Sequence, residues 1–491
     1  MLDTGYWMLD AGQIEKGLRR LFAEWAGEPP LRLTPLAPAA SSRRYFLMEG
    51  GDTRVVGAYG PSVAENLAFC YLSRHLSEKG LPVPFIHAEA LLDTPSVYLQ
   101  EYIGEQSLYD LLPKGEEPHS GRCRQVFREV VRQLPRLQVL GAEGLDESRL
   151  LSTEGFDEQA MLWDLQYFKY YILKLLDLPF DESALERDFH ALSGWLAGAG
   201  RGFFMLRDCQ SRNILLRGDR PVFIDFQAGR RGPLQYDLVS LLWQAKARLP
   251  HELREELVDE YLQVAATLTE IDRPAFRSYY HGFALLRTLQ VLAVYGLRGL
   301  VEGKAHFLQS IPLALENLAW LLKDPVYPVE LPELRRHLQA LIEHPRLVDA
   351  GRTAGEEAPL VVHIGSFSYR KGLPTDPYGH GGGFVFDCRA IHNPGRYEQY
   401  RKQTGLDPEV KAYLQQYTQM ETFLREVFSL VDRAVDVYLD RDFEHLSVHF
   451  GCTGGQHRSV YAAERLARHL REKYGIRVEV EHRERGNWGT S

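Results

Sequence analysis

The chain has 491 residues, 45% of them hydrophobic and 25% charged, with a net charge of −9. A single domain averages ~150 residues, so two or three domains are expected, and this composition excludes a mostly disordered chain. The acidic balance excludes a basic nucleic-acid coat, and from Pro359 onward the charges nearly cancel, so any anion site there must be local.

In chain order, an amphipathic helix is expected over about Ala11–Trp25, followed by short strands in LRLTPL, RRYFLME and TRVVGAYG. A helix over about Ser62–Lys79 and a strand in VYLQEYIG come next, then helical segments to about Ala199. RNILLRGDR and PVFIDFQ read as a hairpin turning at Gly218–Asp219, and helices fill about Asp237–His344. The apolar stretch Phe283–Leu300 is interrupted by Arg287 and Arg298, which reads as a buried helix and not a membrane span. Residues 346–358 are polar and read as a linker between domains at 1–345 and 359–491. Beyond it, strands in LVVHIGSFSY, GGGFVFDCRA, HLSVHFG and RVEVEH alternate with helices over about Pro408–Tyr438 and Ser459–Tyr474, the pattern of an α/β domain with a partly parallel sheet. Cys70, Cys123, Cys209, Cys388 and Cys452 are scattered without zinc-ligand spacing, and the first residues lack a signal-peptide pattern; both fit a reducing cytoplasm.

The first chemical constellation is LRDCQSRNILLRGDRPVFIDFQAGRRGPLQYDLVSLL, residues 206–242. Asp208 precedes Asn213 by five positions, and Asp225 ends an apolar strand twelve positions later. Phosphoryl transfer needs a carboxylate to orient the attacking hydroxyl and oxygen ligands to hold a divalent cation on the nucleotide phosphates, and this unit supplies both. The strings R-D-x4-N, I-D-F-Q and G-P-x-x-Y-D-L, the last at Gly232–Leu238, resemble the aminoglycoside phosphotransferase/choline kinase superfamily, and within it amino-sugar kinases of the N-acetylmuramate/N-acetylglucosamine kinase kind. The resemblance covers about residues 15–340 and implies an α+β protein-kinase-like fold. It implies Asp208 as catalytic base, Asn213 and Asp225 as Mg²⁺ ligands, ATP as phosphoryl donor and Asp237 as the carboxylate that steadies the loop. Arg207 stands in place of the kinase catalytic-loop histidine, and the strand TRVVGAYG lacks the usual lysine. Arg43 and Arg44, with the hydroxyls of Ser41 and Ser42, are candidates to hold the nucleotide phosphates, Glu65 could pair with one arginine, and Glu101 and Tyr102 fall where a hinge meets adenine. Asp164 and Trp163 are candidates for the acceptor pocket, in a stretch whose aromatic residues also suit a core.

The second constellation is a strand, a Gly-rich loop and a helix, HLSVHFGCTGGQHRSVYAAERLARHL. Backbone N–H groups over Thr453–His457, the helix N-terminus and Arg458 can form an anion nest. Cys452-x5-Arg458 also has tyrosine-phosphatase spacing, so binding and thiol chemistry both stand as readings. The strings SFSYRKGLP, VFDCRAIHNP, TGLD and GCTGGQHRSVYAAERLA are similar to the C-terminal domain of the RNase adapter protein RapZ over about Leu360–Arg485. That resemblance implies a phosphosugar ligand, its phosphate held by Thr453, Gly454, Gly455, His457 and Arg458 and its sugar met by Asp387. It also implies a part in RNA binding, against which the terminal HRERGNWGTS carries no Lys/Arg cluster. Gly395 occupies a position where that family has histidine, with His392 nearby. The combined expectation is an ATP- and Mg²⁺-dependent kinase acting on an amino sugar or related sugar, fused to a phosphosugar-binding domain. The alternative is a non-catalytic metabolite sensor or RNA adapter with a degenerate kinase-like domain.

Overall fold

The computed structural model describes residues 11–36, 43–51, 53–113, 119–152, 154–350, 360–374, 383–440, 443 and 445–488. The chain divides into two compact units, Met1–Leu297 with Ser310–Ala350, and Arg298–Gln309 with Gly351–Ser491. The first unit thus runs to Ala350, inside the segment expected as a linker, and residues 345–348 form a short helix.

The first unit begins with an antiparallel sheet of β1 (Arg32–Pro35), β2 (Arg44–Gly50), β3 (Thr53–Tyr59), β4 (Ile86–Ala90) and β5 (Val97–Glu101), in the order β1-β2-β3-β5-β4. The Ala11–Ala26 helix lays Ile14, Leu18, Leu21 and Phe22 on one face, against Phe46, Met48, Val55, Tyr59, Val97 and Leu99. Each such fully buried side chain contributes about 1.5–3 kcal/mol. Contact is close enough that a Cβ on Gly57 would fall 2.9 Å from Leu18 Cδ2 of the helix and 2.6 Å from Met48 Sδ of β2, so glycine lets the helix cross β3 closely. The other sheet face meets the Val63–Ser77 helix, which is N-capped by Ser62.

The rest of the unit is helical, and two small β pairs are set into it. β6 (Phe203–Met205) pairs antiparallel with β9 (Arg230–Gly232), and β7 (Ile214–Arg217) with β8 (Arg220–Phe223). Gly218, at φ +67°, makes the β7–β8 turn. The Arg273–Tyr295 helix and its continuation to Val301 are long and apolar enough to cross a membrane by length and composition. Phe283, Leu285, Leu286, Leu289 and Leu292 are buried within the unit, as a core helix requires.

The second unit carries a four-stranded sheet of β10 (Val361–Ser368), β11 (Phe384–Asp387), β12 (His445–Cys452) and β13 (Arg477–His482). Its order is β11-β12-β10-β13 and every pairing is parallel, which sharpens the partly parallel expectation. The helical stretch expected over Pro408–Tyr438 is two helices, Pro408–Tyr417 and Met420–Asp440. Met420, Leu424, Val427, Val431 and Val435 recur at helical spacing and join Val362, Ile364, Leu446, Val448, Phe450, Leu466 and Leu470 in one core. In such a sheet the loops leaving the strands' C-terminal ends are where ligands bind, and the 453–457 loop leaves β12 there.

Candidate active site and candidate anion loop

The catalytic-loop candidates, all carried between β6 and β9, converge within a few ångströms. Asn213 Nδ2 donates to the Asp208 carbonyl at 2.9 Å and lies 3.4 Å from both Asp208 Oδ2 and Asp225 Oδ2. Two of the four non-glycine residues with positive φ among the described residues fall here, Arg207 at 76° and Asp225 at 61°. Such strain persists only where the surroundings over-determine it. Asp237, fully buried at the start of the Leu234–Leu242 helix, supplies that constraint. It accepts the N–H of Leu206 at 2.7 Å and of Arg207 at 3.1 Å, fixing the loop entry. Burial pushes the Asp237 carboxyl up to about 7, against the pull of its N–H donors.

Arg207 fills the histidine position by anchoring sideways. It donates to both Asp164 oxygens at 2.9 and 3.0 Å and to Tyr236 Oη at 2.8 Å, with Phe156 and Tyr236 beneath its guanidinium. Asp164 thus holds the loop through Arg207, and Trp163 on the same helix is 60% exposed.

The arginine pair divides by strand alternation. Arg44 opens β2 and faces solvent, so it is not brought to the site. Arg43 is buried and points inward, 3.4 Å from Glu65 Oε2 on the Val63–Ser77 helix. Tyr45 pairs with Ala58 across β2 and β3, which places Arg43 on the face where a strand lysine would emerge. Burial opposes its charge, but Tyr98, Tyr45 and Glu65 more than offset this and raise its basicity. The same helix stacks Phe69 on Phe226 at 4.9 Å, tying the Arg43–Glu65 pair to the turn that carries Asp225. Ser41 and Ser42 lie outside the described residues. At the hinge position, the Glu101 N–H is spent on the Phe85 carbonyl at 2.9 Å and the Glu101 carboxylate on Arg217, so that N–H is not available to adenine. Tyr102 follows directly as β5 ends.

The donor set fits a hard divalent cation. Asp225 and Asn213 lie side by side, and Gln227, whose Nε2 donates to Asp225 at 2.9 Å, has a buried Oε1 without a hydrogen-bond partner. Among the described residues no group of three His, Cys, Asp or Glu could hold a metal ion, so a cation here needs further oxygens from a phosphate ligand.

In the second unit the loop is braced by its own side chains. Gln456 Nε2 donates to the carbonyls of Arg401 and Gln403, and His457 Nε2 lies 2.9 Å from the Tyr400 carbonyl. His457 thus clamps the 400–405 segment with one ring nitrogen, and burial lowers its pKa. A Cβ on Gly395 would come within 3.1 Å of His457 Cε1, a tight fit that glycine relieves. Arg458 is buried, its Nη1 donating to the carbonyls of Ile391 at 2.7 Å and Arg389 at 3.1 Å. Its Nε is buried without a hydrogen-bond partner, and its Nη2 lies 3.5 Å from Thr453 Oγ1. One edge of the guanidinium is fixed to protein and the other is left toward the loop. Gly455 holds φ +66°, and a Cβ there would meet Glu484 Cγ at 2.4 Å; no Cβ clash exists at Gly454. Cys452 Sγ accepts the Gly455 N–H at 3.2 Å and lies 3.1 Å from Ser459 Oγ. Asp387 is held in a bidentate pair with Arg389, which keeps its carboxyl below the usual range, so its oxygens are not idle.

Residues 32–278, half of the chain, match the phosphotransferase enzyme family. The chain belongs to that family. Residues 360–486 match the RapZ C-terminal domain. Curated relatives include nucleotide-binding proteins of Thioalkalivibrio sulfidiphilus, 38% identical over 136 residues (28% of this chain, 46% of that protein), and of Xylella fastidiosa, 40% identical over 152 residues (31% and 47%). The chain spans about half the length of the curated relatives it matches. Similar solved structures include amicoumacin kinase hAmiN in complex with AMP-PNP, Ca²⁺ and Ami (TM-score 0.45, 15% identity, 66% of this chain and 97% of that one). Another is choline kinase from Cryptosporidium parvum Iowa II (TM-score 0.45, 14% identity, 67% and 100%).

The phosphotransferase unit also holds groups that motif spacing missed. Gln227 belongs to the IDFQ string but was given no role. Arg287, from the Arg273–Tyr295 helix, donates to Asp208 Oδ1 at 2.9 Å. The signal was available: a charge in the middle of an apolar helix needs a buried partner.

Proposed function

We propose that the phosphotransferase unit is an ATP- and divalent-cation-dependent kinase whose acceptor is a hydroxyl of an amino sugar or related sugar. The second unit, on this reading, binds a phosphosugar. The observation that carries the kinase reading is the convergence of Asp208, Asn213 and Asp225 within 3.4 Å contacts on a backbone strained at two positions. Asp208 orients the acceptor hydroxyl and receives its proton at Oδ2. Asn213 and Asp225, with Gln227 beside them, hold Mg²⁺. When bound, that ion neutralises charge developing on the transferred phosphoryl group. Arg43, steadied by Glu65, takes the place of the missing strand lysine on the nucleotide phosphates. The Glu101 carbonyl and the Tyr102 backbone are the remaining hinge groups for adenine. In the second unit, the N–H groups of Thr453 and Gly454 and the inner edge of Arg458 receive the phosphate; His457 acts by bracing the loop.

The test is incubation of the full chain with Mg·ATP and glucosamine, N-acetylglucosamine, N-acetylmuramate, a simple hexose or an aminoglycoside, followed by ADP release and phosphorus NMR. A new phosphosugar resonance is expected, with Asp208→Asn lowering turnover about 10²–10⁴-fold. Turnover with the aminoglycoside alone would reject the sugar acceptor, and no turnover with any acceptor would reject the kinase.

A further inference from the structure

We propose that Arg287 is a positioning residue for the phosphoryl transfer, acting through Asp208; this rests on the kinase reading above. Arg287 sits in the middle of an apolar helix, among buried Phe283, Leu285, Leu286, Leu289 and Leu292. Burying a guanidinium there costs free energy unless its charge is matched and its N–H groups are bonded. Its described partners are Asp208 Oδ1 at 2.9 Å, Gln290 Oε1 at 2.8 Å and Tyr236 Oη at 3.5 Å. Asp208 is the one carboxylate among these. Burial opposes the Arg287 charge, yet Tyr236, Asp208 and Asp164 outweigh it and hold the group protonated.

The geometry divides the labour between the two Asp208 oxygens. Oδ1 is taken by Arg287 and by Gln210 Nε2, while Oδ2 carries only the 3.4 Å contact from Asn213. The Arg287 side chain is 10% exposed and that of Asp208 is 39% exposed, so the cation lies behind the carboxylate and the carboxylate toward the opening. Arg287 thereby prevents the carboxylate from rotating and leaves Oδ2 for the acceptor. In the transfer, the acceptor oxygen bonds to the γ-phosphorus, the bond from that phosphorus to the β–γ bridging oxygen breaks, ADP departs, and the acceptor proton passes to Oδ2. A carboxylate held in one orientation suits a loose transition state that demands little proton transfer early.

The experiment is a double-mutant cycle on the full chain, with Arg287→Met, Arg287→Lys, Asp208→Asn and the Asp208→Asn/Arg287→Met double variant. Each is assayed for kcat, KM for ATP and thermal midpoint. Arg287→Met is expected to lower kcat about 10²-fold with KM for ATP within about threefold. In the Asp208→Asn background the same substitution should cost less than about twofold, and Arg287→Lys should recover at least about tenfold of the loss. A merely structural arginine would give multiplicative losses in the double variant and no recovery with lysine, and either result overturns the proposal. If Arg287→Met does not fold, Gln290→Leu, which removes the partner that steadies Arg287, should still lower kcat with KM for ATP within about threefold, an effect absent in the Asp208→Asn background; an unchanged kcat overturns the proposal. An unmutated chain without turnover on any acceptor, and without hydrolysis of ATP, rejects the kinase reading itself, whereas an active chain with multiplicative losses rejects only the role of Arg287.

Discussion

The two candidate sites are built from opposite materials. Around Asp208 the working groups are side chains, held on a backbone that Asp237 forces through positive φ at Arg207 and that turns again at Asp225. Around Thr453–Arg458 the side chains of Gln456 and His457, with one edge of Arg458, are spent on bracing, and on the proposed reading the backbone N–H groups of Thr453 and Gly454 take the ligand. A side-chain site can be abolished by changing one functional group without moving anything else. A backbone site is insensitive to most side-chain changes and vulnerable wherever the main chain itself cannot accommodate a Cβ.

The largest test of that contrast is Asp225→Ala. It removes a carboxylate and leaves the Phe69–Phe226 stack in place, so it is expected to lower turnover about 10³-fold and to abolish the thermal stabilisation by Mg·ATP, read by differential scanning. An equal shift in the parent and the variant would remove Asp225 from the metal site. Next comes Gly455→Ala. The φ of +66° and the 2.4 Å approach to Glu484 Cγ make the alanine strained and crowded, at a cost of about 1–3 kcal/mol. Phosphosugar affinity measured by calorimetry should fall about tenfold or more, while kinase turnover is unchanged.

A smaller effect is expected from Asp237→Asn, read as thermal midpoint against pH. The folded-state carboxyl titrates near 7 where the ordinary value is 3.8. Between those values the unfolded chain has released the proton and the folded chain retains it, so the stability of the parent falls as pH rises through that window. The asparagine variant lacks this titration, and its curve should be flatter from about pH 4 to 7. Parallel curves would place the Asp237 titration outside that window. The smallest effect is expected from Cys452→Ser. Its Sγ already sits against Ser459 Oγ and Gly455 N–H, and a hydroxyl can make both contacts, so phosphosugar binding should change less than about threefold. Loss of a phosphosugar-hydrolysing activity in this variant would instead establish thiol chemistry at the loop.

Much of the fold was legible because it rests on local pattern. The Leu–Met–Val stripe of Met420–Asp440, the alternation in β2 and the Gly218 turn all declare themselves within a few residues. β4, β6 and β9 went unread. β6 and β9 are three residues each and exist because Phe203–Met205 meets Arg230–Gly232 across a hairpin, a pairing without local periodicity. Among site residues, Asp208, Asn213 and Asp225 could be named from spacing because one hairpin carries all three. Which arginine of the Arg43–Arg44 pair turns inward depended on the strand's face, and the fate of Asp164 depended on a residue 43 positions away.

The sequence by itself determined the two-unit α+β and α/β organisation, the catalytic hairpin and the glycine loop, since each is encoded by residues within one stretch of chain. Only the tertiary structure decided that Arg43 meets Glu65, that Arg287 backs Asp208, and that His457 holds the Tyr400 carbonyl. Those decisions belong to burial: a charged or polar group removed from water must find its partner wherever the fold has brought one, and sequence distance sets no limit on where that is.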